Sequence, residues 1–128
     1  MNAKGLMLED WVRIPSGQAA RVRALNTDGT VGVGVGATDL MGFDARVLSP
    51  VALTAELLLA NGFEVDEDNI QKFSDGETEV VFYGGWTYVS VRFEDAGGYE
   101  TATTIRAEVH RLQNLWNNAE MEREFRMA

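Results

Sequence analysis

The chain has 128 residues, of which 45% are hydrophobic, so it can bury a packed core and is not largely disordered. It has no cysteine, which excludes disulfides and thiolate metal sites and fits a reducing cytoplasm, and no apolar run long enough to cross a membrane. The net charge of −9 lies wholly in residues 51–128, which hold fifteen acids and six bases. That sign disfavours direct nucleic-acid binding and suits either plain solubility or a basic protein partner.

Residues 1–50 are predicted to form a small β-module. Alternating apolar and polar residues indicate four strands, at 11–14, 20–25, 30–35 and near 43–48. The sequence Asn26-Thr27-Asp28-Gly29 is a strong hairpin signal between the second and third of them. Four short strands joined by tight turns predict an SH3-like β-barrel or a meander.

Residues 51–128 are predicted to form an acidic α+β module, either separate from the first module or part of one compact unit. Thr54 is a candidate N-cap and Gly62 a candidate C′ residue for a short helix over 55–61. An antiparallel sheet is expected to follow, with strands at 70–73, 77–83, 86–93 and 99–105.

A closing helix is predicted from about Arg106, packed on this sheet. Its apolar face consists of Val109, Leu112, Trp116 and Ala119. Met121, Phe125 and Met127 do not continue that face. The last eight residues are therefore expected to bend away or fray, or to provide a contact between copies of the chain.

Three patterns suggest ligand chemistry but lack essential residues. The glycine run at 32–36 has neither the spacing nor the lysine of a phosphate loop, and indicates a close approach of another backbone or a bulge. A calcium loop starting at Asp66 would have Ile70 and Gln71 where an oxygen ligand and a glycine are needed. His110 is the single histidine, too few for zinc. The sequence thus predicts no catalytic residue, cofactor or metal site.

One face of the closing helix carries neutral hydrogen-bonding side chains. This polar stripe has the spacing i, i+3, i+4, i+7 and consists of His110, Gln113, Asn114 and Asn117. Asparagine is a poor helix former, so an ordinary solvated face would favour Glu, Lys and Arg instead. The stripe either hydrogen-bonds to the sheet, a loop or water, or faces a ligand or partner.

Aromatic residues are concentrated in the predicted sheet. The candidate binding residues among them are Tyr83, Trp86, Tyr88 and Tyr99. Trp86 and Tyr88 would share one face of the strand over 86–93, and Val89 and Val91 the other. Either one face packs on the helix and the other on the β-module, or an exposed aromatic face binds a partner or a planar ligand.

Two segments, Leu48 to Phe63 and Val109 to Trp116, resemble a family of small uncharacterised proteins of phages, prophages and gut bacteria. The family pattern has an early Trp-Val, then Pro-(Ile/Leu)-Leu-Thr-x-Glu-x-Leu followed by Gly-Phe-Glu, and closes with Val-His-x-Leu-Gln-Asn-Leu-(Tyr/Trp). This chain departs from it after Trp116, where Asn117-Asn118-Ala119-Glu120 replaces an aromatic-rich ending. The resemblance implies a mobile-element origin and a specific task for the polar stripe, and supplies no activity.

Three functions follow as hypotheses. The first is a non-enzymatic interaction protein of phage or mobile-element type in the host cytoplasm, with counter-defence through an acidic surface as its concrete form. The alternative is a protein that binds or sequesters a small ligand such as a nucleotide. A hydrolase that uses paired carboxylates is a remote third, because nothing singles out a pair among the twenty acids.

Overall fold

The computed structural model describes residues 1–34 and 40–127. The chain divides into two compact units, Met1–Val51 and Ala52–Ala128. Each unit contains a five-stranded antiparallel sheet, and the second also contains two α-helices. The protein is therefore α+β, as predicted, with most of its regular structure in strands.

The first unit is an open antiparallel sheet. Its strands are β1 (Trp11–Arg13), β2 (Ala19–Leu25), β3 (Thr30–Gly34), β4 (Leu40–Asp44) and β5 (Ser49–Pro50). They lie in the order β4-β3-β2-β1-β5, so β4 and β5 are both edges and the described residues do not close a barrel. The predicted fourth strand near 43–48 was placed too late. Asp44 accepts a hydrogen bond from the backbone N–H of Arg46 and caps a 3₁₀ helix over Ala45–Val47, which ends β4.

The glycine run belongs partly to β3. Val31 and Val33 are buried in the core, and a Cβ placed on Gly32 would lie 3.1 Å from the Cβ of Ala24 and 3.3 Å from a methyl of Leu40. The close approach is thus made by side chains on the neighbouring strands, which would have to shift by a few tenths of an ångström to admit a side chain at Gly32. The rest of the run, and the predicted end of this strand, lie outside the described residues.

The second unit begins with a short capped helix, α1 (Ala55–Ala60), as predicted. The Thr54 hydroxyl oxygen accepts from the backbone N–H of Leu57 at 3.2 Å, which satisfies a free donor of the first turn. Gly62 has φ +88°, and the N–H of Phe63 donates back to the carbonyl of Leu58 at 3.0 Å. These contacts turn the chain out of the helix and bury Phe63.

The remaining elements of the second unit are a sheet and one helix. They are β6 (Glu64–Val65), β7 (Lys72–Ser74), β8 (Thr78–Tyr83), β9 (Tyr88–Glu94), β10 (Glu100–Arg106) and α2 (Val109–Asn118). The strands lie in chain order, β10-β9-β8-β7-β6. The apolar face of α2 is buried as predicted, and the indole N–H of Trp116 donates to the buried hydroxyl of Thr78 in β8 at 3.1 Å. Trp116 therefore fixes α2 against the inner face of the sheet.

The segment after α2 leaves the helix and is packed, so of the two predicted alternatives, bending away or fraying, the second is wrong. Phe125 is fully buried, with its ring centroid 6.5 Å from that of Trp116. Arg123 lies over the Trp116 ring at 4.7 Å and pairs with Asp75. The Asn61 side chain donates to the carbonyl of Arg126 at 2.8 Å and accepts from its N–H at 2.7 Å. Because Phe125 lies outside the helix, its burial does not follow the helical period on which the prediction rested.

Candidate functional site

Three exposed aromatic side chains lie in or beside the turn between β8 and β9. Tyr83 and Tyr88 are cross-strand partners whose rings stack 5.9 Å apart at 22°. The ring of Trp86 packs 4.8 Å from that of Phe82, which is buried on the inner face of the sheet. Tyr83, Trp86 and Tyr88 keep 40%, 42% and 37% of their surface exposed. The structure thus brings two of the four aromatic candidates, Tyr83 and Tyr88, together as a half-exposed pair on the outer face.

Trp86 lies in the turn, which corrects the prediction that it shares a strand face with Tyr88. The strand β9 starts only at Tyr88, after three successive residues with positive φ: Gly84 at 62°, Gly85 at 67° and Trp86 at 68°. A bulky residue rarely adopts this left-handed conformation, and such strain persists only where surrounding contacts impose it. Here the contact with Phe82 holds the indole, and Phe82 belongs to the inner face of β8, opposite to the face that carries Tyr83.

Tyr99 lies apart from the tyrosine pair. It directly precedes β10, in the turn that links β9 to β10, and 76% of its surface is exposed. The six residue steps from Tyr88 to Glu94 span about 20 Å along β9, so the two turns are at opposite ends of the sheet. Tyr99 therefore cannot share a small ligand with Tyr88.

Arg106 is the residue of this region that sequence reasoning missed. It is the cross-strand partner of Tyr88, so its exposed side chain stands on the same outer face of the sheet. It makes no ion pair with any residue in the described ranges. Other cations on this face are paired: Arg92 with Glu100 at 2.9 Å and Lys72 with Glu79 at 3.8 Å. The alternating pattern of the Thr-rich strand would have placed Arg106 on this face if the register of β10 with β9 had been known.

The polar stripe of α2 does not form a uniformly exposed face. His110 is buried, Gln113 and Asn114 are half-buried, and Asn117 is exposed. Gln113 and Asn114 both take part in interactions. Of the four stripe residues, only Asn117 is thus openly available to a ligand, and the role of the stripe stays a prediction.

His110 is the buried end of that stripe. Only 4% of its surface is exposed, and within the described part of the chain its Nδ1 has no hydrogen-bond partner. Burial lowers the pKa of His110, with Glu108 acting to raise it and Arg111 to lower it. The imidazole is therefore held neutral.

The pH dependence of stability is expected to report this buried imidazole. Because the pKa of His110 is lower in the folded state, the unfolded chain binds the proton first as the pH falls below about 6.5. Stability then decreases as the pH falls from about 6.5 towards the lower, folded pKa, by at most about 1.4 kcal/mol per pH unit. Urea unfolding should show this slope in the wild type and a flatter one in His110→Gln. Equal slopes would contradict the prediction.

Carboxylates border two adjoining clefts at the other end of the sheet. The larger, of about 580 Å³, follows the edge strand β6, and the smaller, of about 210 Å³, lies beside the start of β8. Both clefts are lined by Ser74 and Gly76, so they form one continuous surface. This acidic surface contains eight acids and two cations: Glu64, Asp66, Glu67, Asp75, Glu77, Glu79, Glu94 and Glu100, with Lys72 and Arg92.

The acidic surface has no arrangement that would bind a metal. No group of three or more His, Asp or Glu side chains in residues 1–34 and 40–127 is placed to hold an ion. In the segment resembling a calcium loop, the carboxylate of Asp66 accepts from the backbone N–H of Asp68 at 2.8 Å. That carboxylate stabilises a turn.

No helix in the described residues is long and apolar enough to span a membrane. Comparison with known proteins gives no match: no family model, no curated protein and no solved structure is similar to this chain. Functional inference thus rests on the side chains described above.

Proposed function

We propose that this protein is a non-enzymatic interaction protein whose acidic surface binds a basic protein partner. The observation that supports this is the continuity of the two carboxylate-lined clefts, eight acids against two cations. The first unit, with five acids and five bases, has no net charge, so the field of the protein comes from the second unit. A concentrated field of one sign accelerates association with an oppositely charged partner and excludes phosphate backbones.

Three of the eight acids of this surface, Glu64, Glu67 and Glu94, form no ion pair among the described residues, and the other five pair with Lys72, Arg92 or Arg123. Glu64 and Glu67 are exposed, while Lys72 is shared between Asp66 at 4.0 Å and Glu79 at 3.8 Å. The larger cleft runs beside β6, an edge strand of the sheet. An arginine- or lysine-bearing segment would find unneutralised carboxylates there.

The mobile-element origin and the counter-defence role belong to the same proposal. Their support is the closing motif from Val109 to Trp116, taken with an acidic surface that would occupy a nucleic-acid-binding site on a host protein in the cytoplasm. An SH3-like form of the first unit is proposed as well. Its support is the strand order, with β5 beside β1, and the 3₁₀ helix between β4 and β5.

An oligo-arginine peptide tests whether the acidic surface is the binding site. We expect Glu64→Gln/Glu67→Gln to weaken binding several-fold in a fluorescence-anisotropy titration at low salt. The control Glu56→Gln/Glu120→Gln removes the same charge at exposed positions outside both clefts and should bind nearly as well as the wild type. Binding should also fall steeply with added salt, because exposed charges are screened over about 8 Å at physiological ionic strength.

Equal weakening of peptide binding in both double variants would contradict a localised site, because the net charge alone would then explain the binding. The same two double variants then distinguish specific partners from non-specific ones in a host lysate. A basic protein captured by the wild type and by the control, and lost with Glu64→Gln/Glu67→Gln, would be the expected partner. Capture of no protein at low salt would argue against the proposed function.

A further inference from the structure

Tyr83, Tyr88 and Arg106 form a row across three adjacent strands of the second sheet, here called the aromatic–arginine row. The register is fixed: Tyr83 pairs with Tyr88, and Tyr88 pairs with Arg106. Since cross-strand partners project to the same face, all three side chains stand side by side on the outer face.

The aromatic–arginine row offers hydrogen-bond donors that the protein does not use. Arg106 has no ion pair, and the hydroxyls of Tyr83 and Tyr88 make no hydrogen bond with any described residue. A guanidinium binds carboxylate or phosphate through paired N–H donors, and the phenol hydroxyls add two further donors. The half-exposed rings beside them provide apolar surface for a planar group.

We propose that the aromatic–arginine row binds a small planar anion of the nucleoside monophosphate class. The phosphate would lie against Arg106, and the base would pack on the rings of Tyr88 and Tyr83. Two strand spacings separate Tyr83 from Arg106, about 10 Å, which is comparable to the length of such a molecule. This site is independent of the proposed acidic interaction surface.

The charge distribution favours a mononucleotide over a nucleic acid. Only one unpaired cation lies in the row, and the acidic surface comes no nearer along the strands than Glu79, four residue steps or about 13 Å from Tyr83. A single phosphate can pair with Arg106 at that distance from the carboxylates. A chain of phosphates would extend towards them and be repelled, because nucleic-acid affinity depends on several cationic contacts.

Titration of the whole protein with AMP tests the proposal. We expect saturable chemical-shift changes at the backbone N–H groups of Tyr83, Tyr88 and Arg106 in ¹H–¹⁵N spectra, with the indole N–H groups of Trp11 and Trp116 unaffected. Arg106→Gln should raise the Kd about tenfold, as expected for loss of a charge-assisted pair. The control Arg92→Gln removes the same charge from the same face at its other end, and should leave the Kd unchanged.

A ligand without phosphate and a second variant complete the test. Adenosine, which lacks the phosphate, should bind more weakly than AMP and with equal affinity to the wild type and Arg106→Gln. If Arg106→Gln does not fold, Tyr83→Leu provides the second variant and should also weaken binding. Absence of AMP-induced shifts, equal effects of the two arginine variants, or tighter binding of an oligodeoxyadenylate than of AMP would overturn the proposal.

Discussion

Phe125→Ala should lower the free energy of unfolding of the second unit by about 3–5 kcal/mol, the usual range for removing a buried phenylalanine side chain. Phe125 is fully buried against Trp116, although it lies seven residues beyond α2. The loss combines the transfer of apolar surface to water with the cavity left beside the indole. Urea unfolding followed by circular dichroism measures it.

The control for Phe125→Ala is Ile70→Ala, which truncates a large apolar side chain that is 75% exposed. This variant should change stability by no more than about 0.5 kcal/mol. If the segment after α2 frayed in solution, Phe125→Ala would be as neutral as Ile70→Ala. That result would contradict the packing of Phe125.

Arg123→Met has the second-largest expected effect, a loss of about 2–3 kcal/mol at pH 7. Arg123 donates to Asp75, donates to Glu77 at 3.2 Å and lies over Trp116. The Asp75 side chain is only 8% exposed, so removing the guanidinium leaves a nearly buried carboxylate without its cation. The estimate is below the full range for buried pairs because Arg123 is partly solvated.

The acid limb of the stability curve distinguishes this ion pair from simple packing. Burial raises the pKa of Asp75, but the hydrogen bonds from Arg123 and from the N–H groups of Thr78 and Glu77 outweigh it and lower the pKa overall. The stabilisation is therefore complete above the ordinary aspartate pKa and is lost as the pH falls through the lower, folded value. Arg123→Met should reduce this acid-dependent loss, whereas Arg126→Met, which has no described ion pair, should retain it. Parallel acid limbs in all three proteins would contradict the ion-pair account.

Local signals predicted the fold best where a few neighbouring residues determine the backbone. Thr54 and Gly62 bound α1 as expected, because capping depends on groups within one turn. The hairpin at 26–29 and the alternation in β8 and β9 depend equally on near neighbours. The antiparallel α+β class followed from these elements.

Features that depend on distant residues were mispredicted or missed. The period of α2 predicted a frayed end, because the indole that receives Phe125 and Arg123 is recognisable as their partner only in three dimensions. Trp86 was assigned to a strand because its apolar character suits one, while two glycines before it allow a longer turn. Arg106 entered the candidate site only through its register with Tyr88, which no single sequence specifies.

The two-way hydrogen bond between Asn61 and Arg126 has a consequence for synthesis on the ribosome. It joins residues 65 positions apart, so the C-terminal end of α1 is among the first parts of its unit to be translated and one of the last to be completed. The first unit has all its strands by Pro50 and can form its sheet while translation continues. The second cannot complete its core until Trp116 and Phe125, nine positions apart, have both left the exit tunnel. Nascent chains tethered to the ribosome by a linker too short to expose Phe125 should bind chaperones, and those on a longer linker should not.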